Sequence, residues 1–345
     1  MRALAAAGRV EPVLFTDLPV HPVHGLERIP EVRAPVRPVA WWQHHWLPAA
    51  LRRERIDVFH APAHWGVPWH SPVPVVATIH DLADRERPEL RAPAGFDVRA
   101  RHAFEQWLVV RTARRIIAVS HWTAGSIARH LGVDPARIAV TVEGAAPAFD
   151  APADRAQAGA IREQLGLREQ YFLYVGGFDA RKNLGAVVRA LAALPAEQRV
   201  TVAMAGEGGA AADALRREAV AVGVDAWIVL VGAVEDTALA GLYAGALAVI
   251  MPSWLEGFGL PVVEAMHVGT PAIVSSAGSL PEIAGDGALV FPPDDPKALA
   301  AAMRRLATDA VLRDGLAAAA RARASLYTWA AAADQTAEVY VAAAR

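Results

Sequence analysis

From Tyr171 to Phe291 the chain alternates short apolar runs with Ala-rich stretches, and this alternation constrains the fold more than any other feature. The runs YFLYV (171–175), TVAMA (201–205), WIVLV (227–231), ALAVIM (246–251), PAIVS (271–275) and ALVF (288–291) are continuous and short, as strands buried on both faces are. Strands alternating with helices predict a parallel sheet covered by helices on both sides. The N-terminal half repeats the theme less cleanly, with strands predicted at PVLFT (12–16), DVFH (57–60), VVATI (75–79), RIIAV (115–119) and IAVTV (138–142). Between Glu143 and Ile161 the chain is rich in Ala, Pro and Gly and reads as a linker. A length of 345 residues suits two domains of ordinary size. The predicted fold class is α/β: two Rossmann-like domains, residues 1–150 and 151–328, facing each other across a cleft. Residues 329–345 are expected to form a C-terminal helix that packs back toward the N-terminal domain.

Composition excludes several classes. The apolar fraction of 54% supports large cores, yet no run approaches the roughly 18 apolar residues of a membrane span. There is no cysteine, which removes disulfides and thiolate metal sites, and the first residues, MRALAAAGRVEP, lack the apolar core of a signal peptide. A cytoplasmic location is expected. The net charge of −2 gives no electrostatic footprint for nucleic acid.

Three glycine turns lie where ligands of such sheets bind, beyond the carboxyl ends of the strands. In SWLEGFGLPVVEAMHVGTP (253–271), Pro261 fits the first turn of a helix and Gly269 its end. The backbone N–H groups of Gly257, Phe258, Gly259 and Leu260 would open that helix and could hold a phosphate. Glu256 then sits in the turn and Glu264, eight residues on, about one turn inside the helix. This spaces two acceptors along a single bound molecule, and an anion with hydroxyls on both sides, such as a nucleotide-sugar, would suit them. The bland alternative is a glycine turn with two solvated glutamates. In YVGGFDARKNL (174–184), Gly176 and Gly177 let the chain turn while Arg181 and Lys182 place two cations beside the next helix, suited to a diphosphate. Only two residues of the chain are lysine, Lys182 and Lys297, which singles Lys182 out. The third turn, MAGEGG (204–209), lacks the spacing of a dinucleotide fingerprint and reads as packing.

EGFGLPVVEAM and GGFDARKNL, with ATIHDLA (77–83), AVSHWTAGSI (118–127) and SLPEIAGDGALVFPPDDP (279–296), together resemble glycosyltransferase family four, in the family's order from Asp57 to the C-terminus. The resemblance implies the two-domain GT-B fold and retaining transfer of a hexose from a nucleotide-sugar, with a lean toward GDP-mannose, to a saccharide or lipid-linked acceptor. It implies an N-terminal acceptor domain and a C-terminal donor domain. Glu264 would take the ribose hydroxyls and Glu256 those of the transferred sugar. Gly176, Gly177 and the amides of Gly257 to Leu260 would lie along the donor, and Arg181 and Lys182 would neutralise the leaving diphosphate. His80 would sit near the anomeric carbon and Ser120 would line the same cleft. No cofactor is implied beyond the donor substrate. No DxD triplet is present, so Arg181, Lys182 and the helix start would replace a metal. Front-face attack, with the leaving phosphate taking the acceptor proton, is favoured over double displacement. The other class of reading is a nucleotide-sugar-binding scaffold that has lost transfer, and a dehydrogenase ranks last. The chain departs from the family pattern twice. Gly177 and Phe178 stand where many members have an Arg, and Glu143 and Gly144 stand where an Asn-Gly pair is common, an exchange that bears on the local turn.

The N-terminal half has its own signature. WWQHHWLPAALRRERIDVFHAPAHWGVPWH (41–70) crowds Trp41, Trp42, Trp46, Trp65 and Trp69 among histidines, with Trp107 following. Stacking faces for an acceptor sugar and plain packing are equally open readings. His60 and His64 have a zinc-like i, i+4 spacing, but Pro62 between them and the want of a third ligand argue against metal. Residues 99–115 form an amphipathic helix with five arginines, either a docking face for anionic lipid or, the preferred reading, a solvated face. Family members usually open with a strand, a glycine-rich loop and a helix. Here only the end of such a helix precedes the first predicted strand, so the expectation is an N-terminal domain lacking its first strand and loop, a gap in its sheet, weak transfer and an upstream start site.

Overall fold

In the computed structural model the described residues are 1–18, 25–35, 38–90, 95–150 and 155–345. They divide into two compact units, Met1–Glu143 with Trp329–Arg345, and Gly144–Thr328.

The first unit contains β1 (Leu14–Thr16), β2 (Glu31–Arg33), β3 (Phe59–Ala61), β4 (Val75–Ile79), β5 (Ala113–Ala118) and β6 (Ile138–Val140). The last four make one parallel sheet in the order β3-β4-β5-β6, while β1 and β2 pair with each other as a separate parallel ribbon. All five residues of β4 are buried, because both its faces are covered. With the period of two, Val75, Ala77 and Ile79 turn to Leu47, Leu51, Leu108 and Val109 on one side. Val76 and Ile117 turn to Val339 and Ala343 of the C-terminal helix Trp329–Ala344 on the other. The ribbon is attached through Phe15, whose ring meets Trp46 edge-on at 6.3 Å. A cavity of about 1710 Å³ is lined both by Leu14–Thr16 and by Phe59–Ala61, so the two sheets border one space.

The second unit contains β7 (Tyr171–Val175), β8 (Thr201–Ala205), β9 (Ile228–Gly232), β10 (Val249–Met251), β11 (Ala272–Ser275) and β12 (Ala288–Phe291). They form one parallel sheet in the order β9-β8-β7-β10-β11-β12. The chain leaves β7 in one direction and returns at β10 on its other side, with Val249 opposite Leu173. The switch point of the sheet therefore lies between β7 and β10, where the loops after both strands emerge.

Three local readings are corrected. The run 99–115 is not one helix: the helix Phe96–Thr112 gives way at Ala113, which is buried and begins β5. The linker read over 143–161 contains the helix Arg155–Gln164, which packs against the helix Asp236–Gly245 where Gly241 leaves room for Ile161; residues 151–154 of that linker lie outside the described residues. The strand β2 has no counterpart in the sequence reading, since EVR is a short polar segment with its middle residue half-buried.

Candidate active site

The two loops at the switch point bring Arg181 and Lys182 to Glu256 across more than 70 residues of sequence. After β7 the backbone turns at Gly176, and Gly206 of the neighbouring loop stacks on it so closely that a Cβ on Gly206, whose φ is +140°, would run into the Gly176 carbonyl. MAGEGG thus serves packing at this glycine. A 3-10 turn, Ala180–Lys182, follows, capped by the Asp179 carboxylate accepting from the Arg181 amide at 3.1 Å, and Asn183 closes it in the left-handed conformation with φ of 54°. Asn183 is buried and its side-chain amide donates to the carbonyls of Pro252 and Pro293, which ties the loop after β7 to the loop after β10.

After β10 the chain runs through Ser253 to Gly259, and the helix Leu260–Val268 starts with Pro261 in its first turn. Gly259 caps this helix at φ of 107°, a conformation a side chain would strain. Gly269 ends it, also with positive φ. Glu256 accepts from Lys182 Nζ at 2.8 Å, Arg181 Nη1 at 3.1 Å and Ser253 Oγ at 2.7 Å. The side chains are 9% exposed for Glu256, 13% for Lys182 and 25% for Arg181, so this is a nearly buried triad with one net positive charge. Ser279, from the loop after β11, holds the turn by donating its amide to the Glu256 carbonyl, and its hydroxyl lies 2.8 Å from the Phe258 carbonyl. Gly257, Phe258 and Gly259 are buried, while Leu260 is exposed.

Glu264 occupies the inward side of the same helix and accepts from the Tyr243 hydroxyl at 2.6 Å. Burial raises its pKa above the usual carboxylate range, Asp236 adds to the rise, and the Tyr243 hydrogen bond opposes it. Tyr243, fully buried, has its own pKa pushed far up by burial and by Glu264, so it stays a donor.

The remaining sites belong to the first unit. His80 follows β4 and is exposed, with Nδ1 3.1 Å from Glu143 and Nε2 3.0 Å from the Pro62 carbonyl. Ser120 is buried and caps the helix His121–Leu131, accepting from the Thr123 amide, so its hydroxyl is turned to the helix start. His60 is half-buried, its two ring nitrogens within reach of the hydroxyls of Tyr340 (2.6 Å) and Thr78 (2.8 Å), and desolvation holds its pKa at about 4. A neutral imidazole satisfies this pair of hydroxyls. The structure thus joins Arg181, Lys182 and Glu256 directly, sets Gly176, Gly177, Gly257, Phe258, Gly259, Leu260 and Glu264 in the two switch-point loops and the helix that follows, and keeps His80 and Ser120 in the other unit. Sequence reasoning missed Ser253, Asn183, Ser279, Tyr243 and Glu143, the partners that hold the named residues. Ser253 and Ser279 lie inside quoted runs, Asn183 stands beside Lys182 and Glu143 was noted as a departure in the turn, but none of the four was read as a partner; Tyr243 carried no local signal.

Residues 1–147 match the model of Glycosyltransferase Family 4 and residues 158–323 that of Glycosyl transferases group 1. O-antigen chain mannosyltransferase B of Escherichia coli is 31% identical over 294 residues, covering 84% of this chain and 76% of that protein. D-inositol 3-phosphate glycosyltransferase of Streptomyces scabiei is 31% identical over 315 residues, covering 87% and 67%. Among solved structures, Anabaena HepE in complex with UDP-glucose superposes with a TM-score of 0.80 at 19% identity, over 99% of this chain and 94% of that one. Sucrose-phosphate synthase from Thermosynechococcus elongatus gives 0.77 at 23%, over 99% and 90%. The structural likenesses establish the fold, two α/β units of GT-B type, and the sequence matches establish the rest: the chain belongs to glycosyltransferase family four.

Proposed function

We propose that this glycosyltransferase retains anomeric configuration and moves a hexose from a nucleotide-sugar, GDP-mannose first among the candidates, to a saccharide or lipid-linked saccharide. The observation that carries the reading is the Glu256 triad beside a helix N-terminus at the switch point of the sheet. As the bond to the sugar breaks, negative charge builds on the departing diphosphate, and fixed cations there lower the barrier most. Arg181 and Lys182 are fixed by Glu256, Ser253 and the Asp179 cap before any ligand arrives. Glu256, in the turn, is placed to meet hydroxyls of the transferred sugar, and Glu264, farther along the helix, those of the ribose. Within the other unit His80 is proposed as a sugar contact. Ser120 enters through its loop alone, since its hydroxyl serves as a cap. The lean to mannose rests on the name of the Escherichia coli relative, and UDP-glucose, bound in the Anabaena structure, is the other donor to try.

Thermal shift against UDP-, GDP- and ADP-sugars picks out the nucleotide, because a ligand stabilises in proportion to the logarithm of its concentration over Kd. Proton NMR of the first product then reads the anomeric configuration. An inverted product, or a donor that binds and is never turned over, would overturn the reading; the second outcome favours a binding scaffold. Transfer is expected to persist in EDTA, with Arg181 and Lys182 in the place of a metal. Complete loss restored by magnesium or manganese would end that part of the proposal.

The acceptor side of the proposal includes contact with the inner face of the cytoplasmic membrane. Trp69, Phe104 and Trp107 are exposed and meet ring to ring at 6.3 and 5.7 Å, on or beside the helix Phe96–Thr112 that also exposes Arg99, Arg101 and Arg111. Rings with a polar edge among arginines suit an anionic interface. Among the described residues no helix is long and apolar enough to cross a membrane. Flotation with phosphatidylglycerol vesicles but not phosphatidylcholine vesicles is the expected result, and no flotation with either would refute the contact.

A further inference from the structure

The last residue of the first unit's leading segment, Glu143, stands against His80. Its carboxylate, 16% exposed, lies 3.1 Å from Nδ1, while the Pro62 carbonyl lies 3.0 Å from Nε2. Both ring nitrogens therefore face acceptors. A neutral imidazole has one N–H and satisfies one of them; only the imidazolium satisfies both. The Thr123 hydroxyl, from the helix His121–Leu131, holds the His80 backbone carbonyl at 3.4 Å. The titratable groups around the ring are Glu143, following β6, Asp81 on its own loop, and the histidines His60 on β3 and His64 just beyond it. His60 is held neutral by burial and desolvation lowers His64 as well, so neither supplies a strong opposing charge.

We propose that Glu143 is a positioning residue for His80: it grips the ring through Nδ1, favours protonation of both nitrogens, and makes the Nε2 edge a hydrogen-bond donor to the transferred sugar rather than a base toward the acceptor. The inference rests on the reading of His80 as a sugar contact. On binding, Nε2–H exchanges the Pro62 carbonyl for a sugar hydroxyl, no covalent bond changes, and the proton stays on the ring. The acceptor oxygen forms the new bond to the anomeric carbon while its proton passes to the departing diphosphate oxygen, which takes the electron pair of the broken sugar–oxygen bond. Glu143, which reads in sequence as a change of turn, thus sets a carboxylate against the candidate sugar contact.

The sign of the pH effect follows. The hydrogen bond to Glu143 is the largest influence on His80 and raises its pKa above the ordinary histidine value, against the pull of burial. The donor form is present below that raised pKa and is lost as the pH rises through it. Glu143→Gln keeps the shape and removes the charge, so the loss should set in at lower pH. Two readouts test this. In NMR titration with labelled histidine, the His80 signal, assigned by its disappearance in His80→Asn, should titrate lower in Glu143→Gln than in the wild type. In the transfer assay, with UDP-glucose or GDP-mannose according to which is bound, kcat/KM should fall about tenfold at the wild-type optimum and its alkaline limb should move to lower pH, with nucleoside diphosphate affinity unchanged. A His80 titration identical in the two proteins overturns the assignment of Glu143. A His80→Asn protein that transfers like the wild type overturns the sugar contact itself, whatever Glu143 does, and so separates the two failures.

Discussion

The two units use the same kind of sheet to different ends. In Gly144–Thr328 six strands run without interruption, and the switch between β7 and β10 presses two distant loops together until Glu256, Arg181 and Lys182 are nearly sealed. In the other unit the strands fall into a group of four and a group of two that border one cavity, and His80 stands at a strand end with most contacts through backbone and one carboxylate. A continuous sheet fixes side chains far apart in sequence; a divided one leaves its candidate site residue, His80, to local partners.

If that contrast is right, damage to the switch point should be the most severe. Gly206→Val drives a side chain into the Gly176 carbonyl at a left-handed φ, and should cost at least about 4 kcal/mol by denaturant unfolding, since the strain and the clash add. A loss below about 1 kcal/mol would mean the two glycine loops are not locked together. Next in size is Glu256→Ala. It strands Lys182, which is nearly buried, and should cost about 3 kcal/mol of stability while cutting turnover at least a hundredfold, more than it cuts nucleoside diphosphate affinity. Equal turnover in a folded variant would remove Glu256 from the site.

The smallest of the three effects concerns Glu264. Glu264→Ala should weaken nucleotide binding by roughly 1.5 to 3 kcal/mol, the value of hydrogen bonds to a charged acceptor, and cost about 1 kcal/mol in folding by leaving the buried Tyr243 hydroxyl without its acceptor. Its raised pKa gives this a pH signature. The charged acceptor is present above that pKa and is lost as the pH falls through it, so affinity should begin to decline at a higher pH than an ordinary glutamate would give. Calorimetric titration across that range checks it, and a Glu264→Gln protein with the same pH dependence as the wild type would assign the decline to another group.

How much of this was legible in the sequence divides along the same line. Strands at Tyr171–Val175, Thr201–Ala205 and Val75–Ile79 match the apolar runs residue for residue, because burial on both faces leaves a continuous signal; Ala288–Phe291 matches too, although it is an edge strand with only Phe291 buried. Pro261 in the first turn of the Leu260–Val268 helix and Gly269 at its end were legible through the local chemistry of helix termini. The short polar strand Glu31–Arg33 left no such trace, and the run through Ala113 looked helical because an Ala-Arg-Arg sequence suits either state until the sheet claims Ala113. In the site, residue types and spacing pointed to Glu256 and Glu264, but nothing local says that Arg181 and Lys182 meet Glu256, that Tyr243 meets Glu264 or that Glu143 meets His80. Those pairings are set by which strands lie side by side, information that is not periodic along the chain.

The pairing of Arg181 and Lys182 with Glu256 also bears on how the protein lives among small anions. A pocket of bare cations would attract phosphate, sulfate and every free nucleotide alike, and would surrender a spent nucleoside diphosphate slowly. Here both cations already have a carboxylate partner, so a visiting anion must compete with Glu256 for them. A ligand that also gives Glu256 a new hydrogen-bond donor, as a hydroxyl of the transferred sugar does, offsets what it displaces; a nucleoside diphosphate that has lost its sugar brings no such hydroxyl to Glu256. With the site roles proposed above, selectivity for the sugar-bearing form and ready clearance of what remains after transfer would both follow from that resident counter-ion.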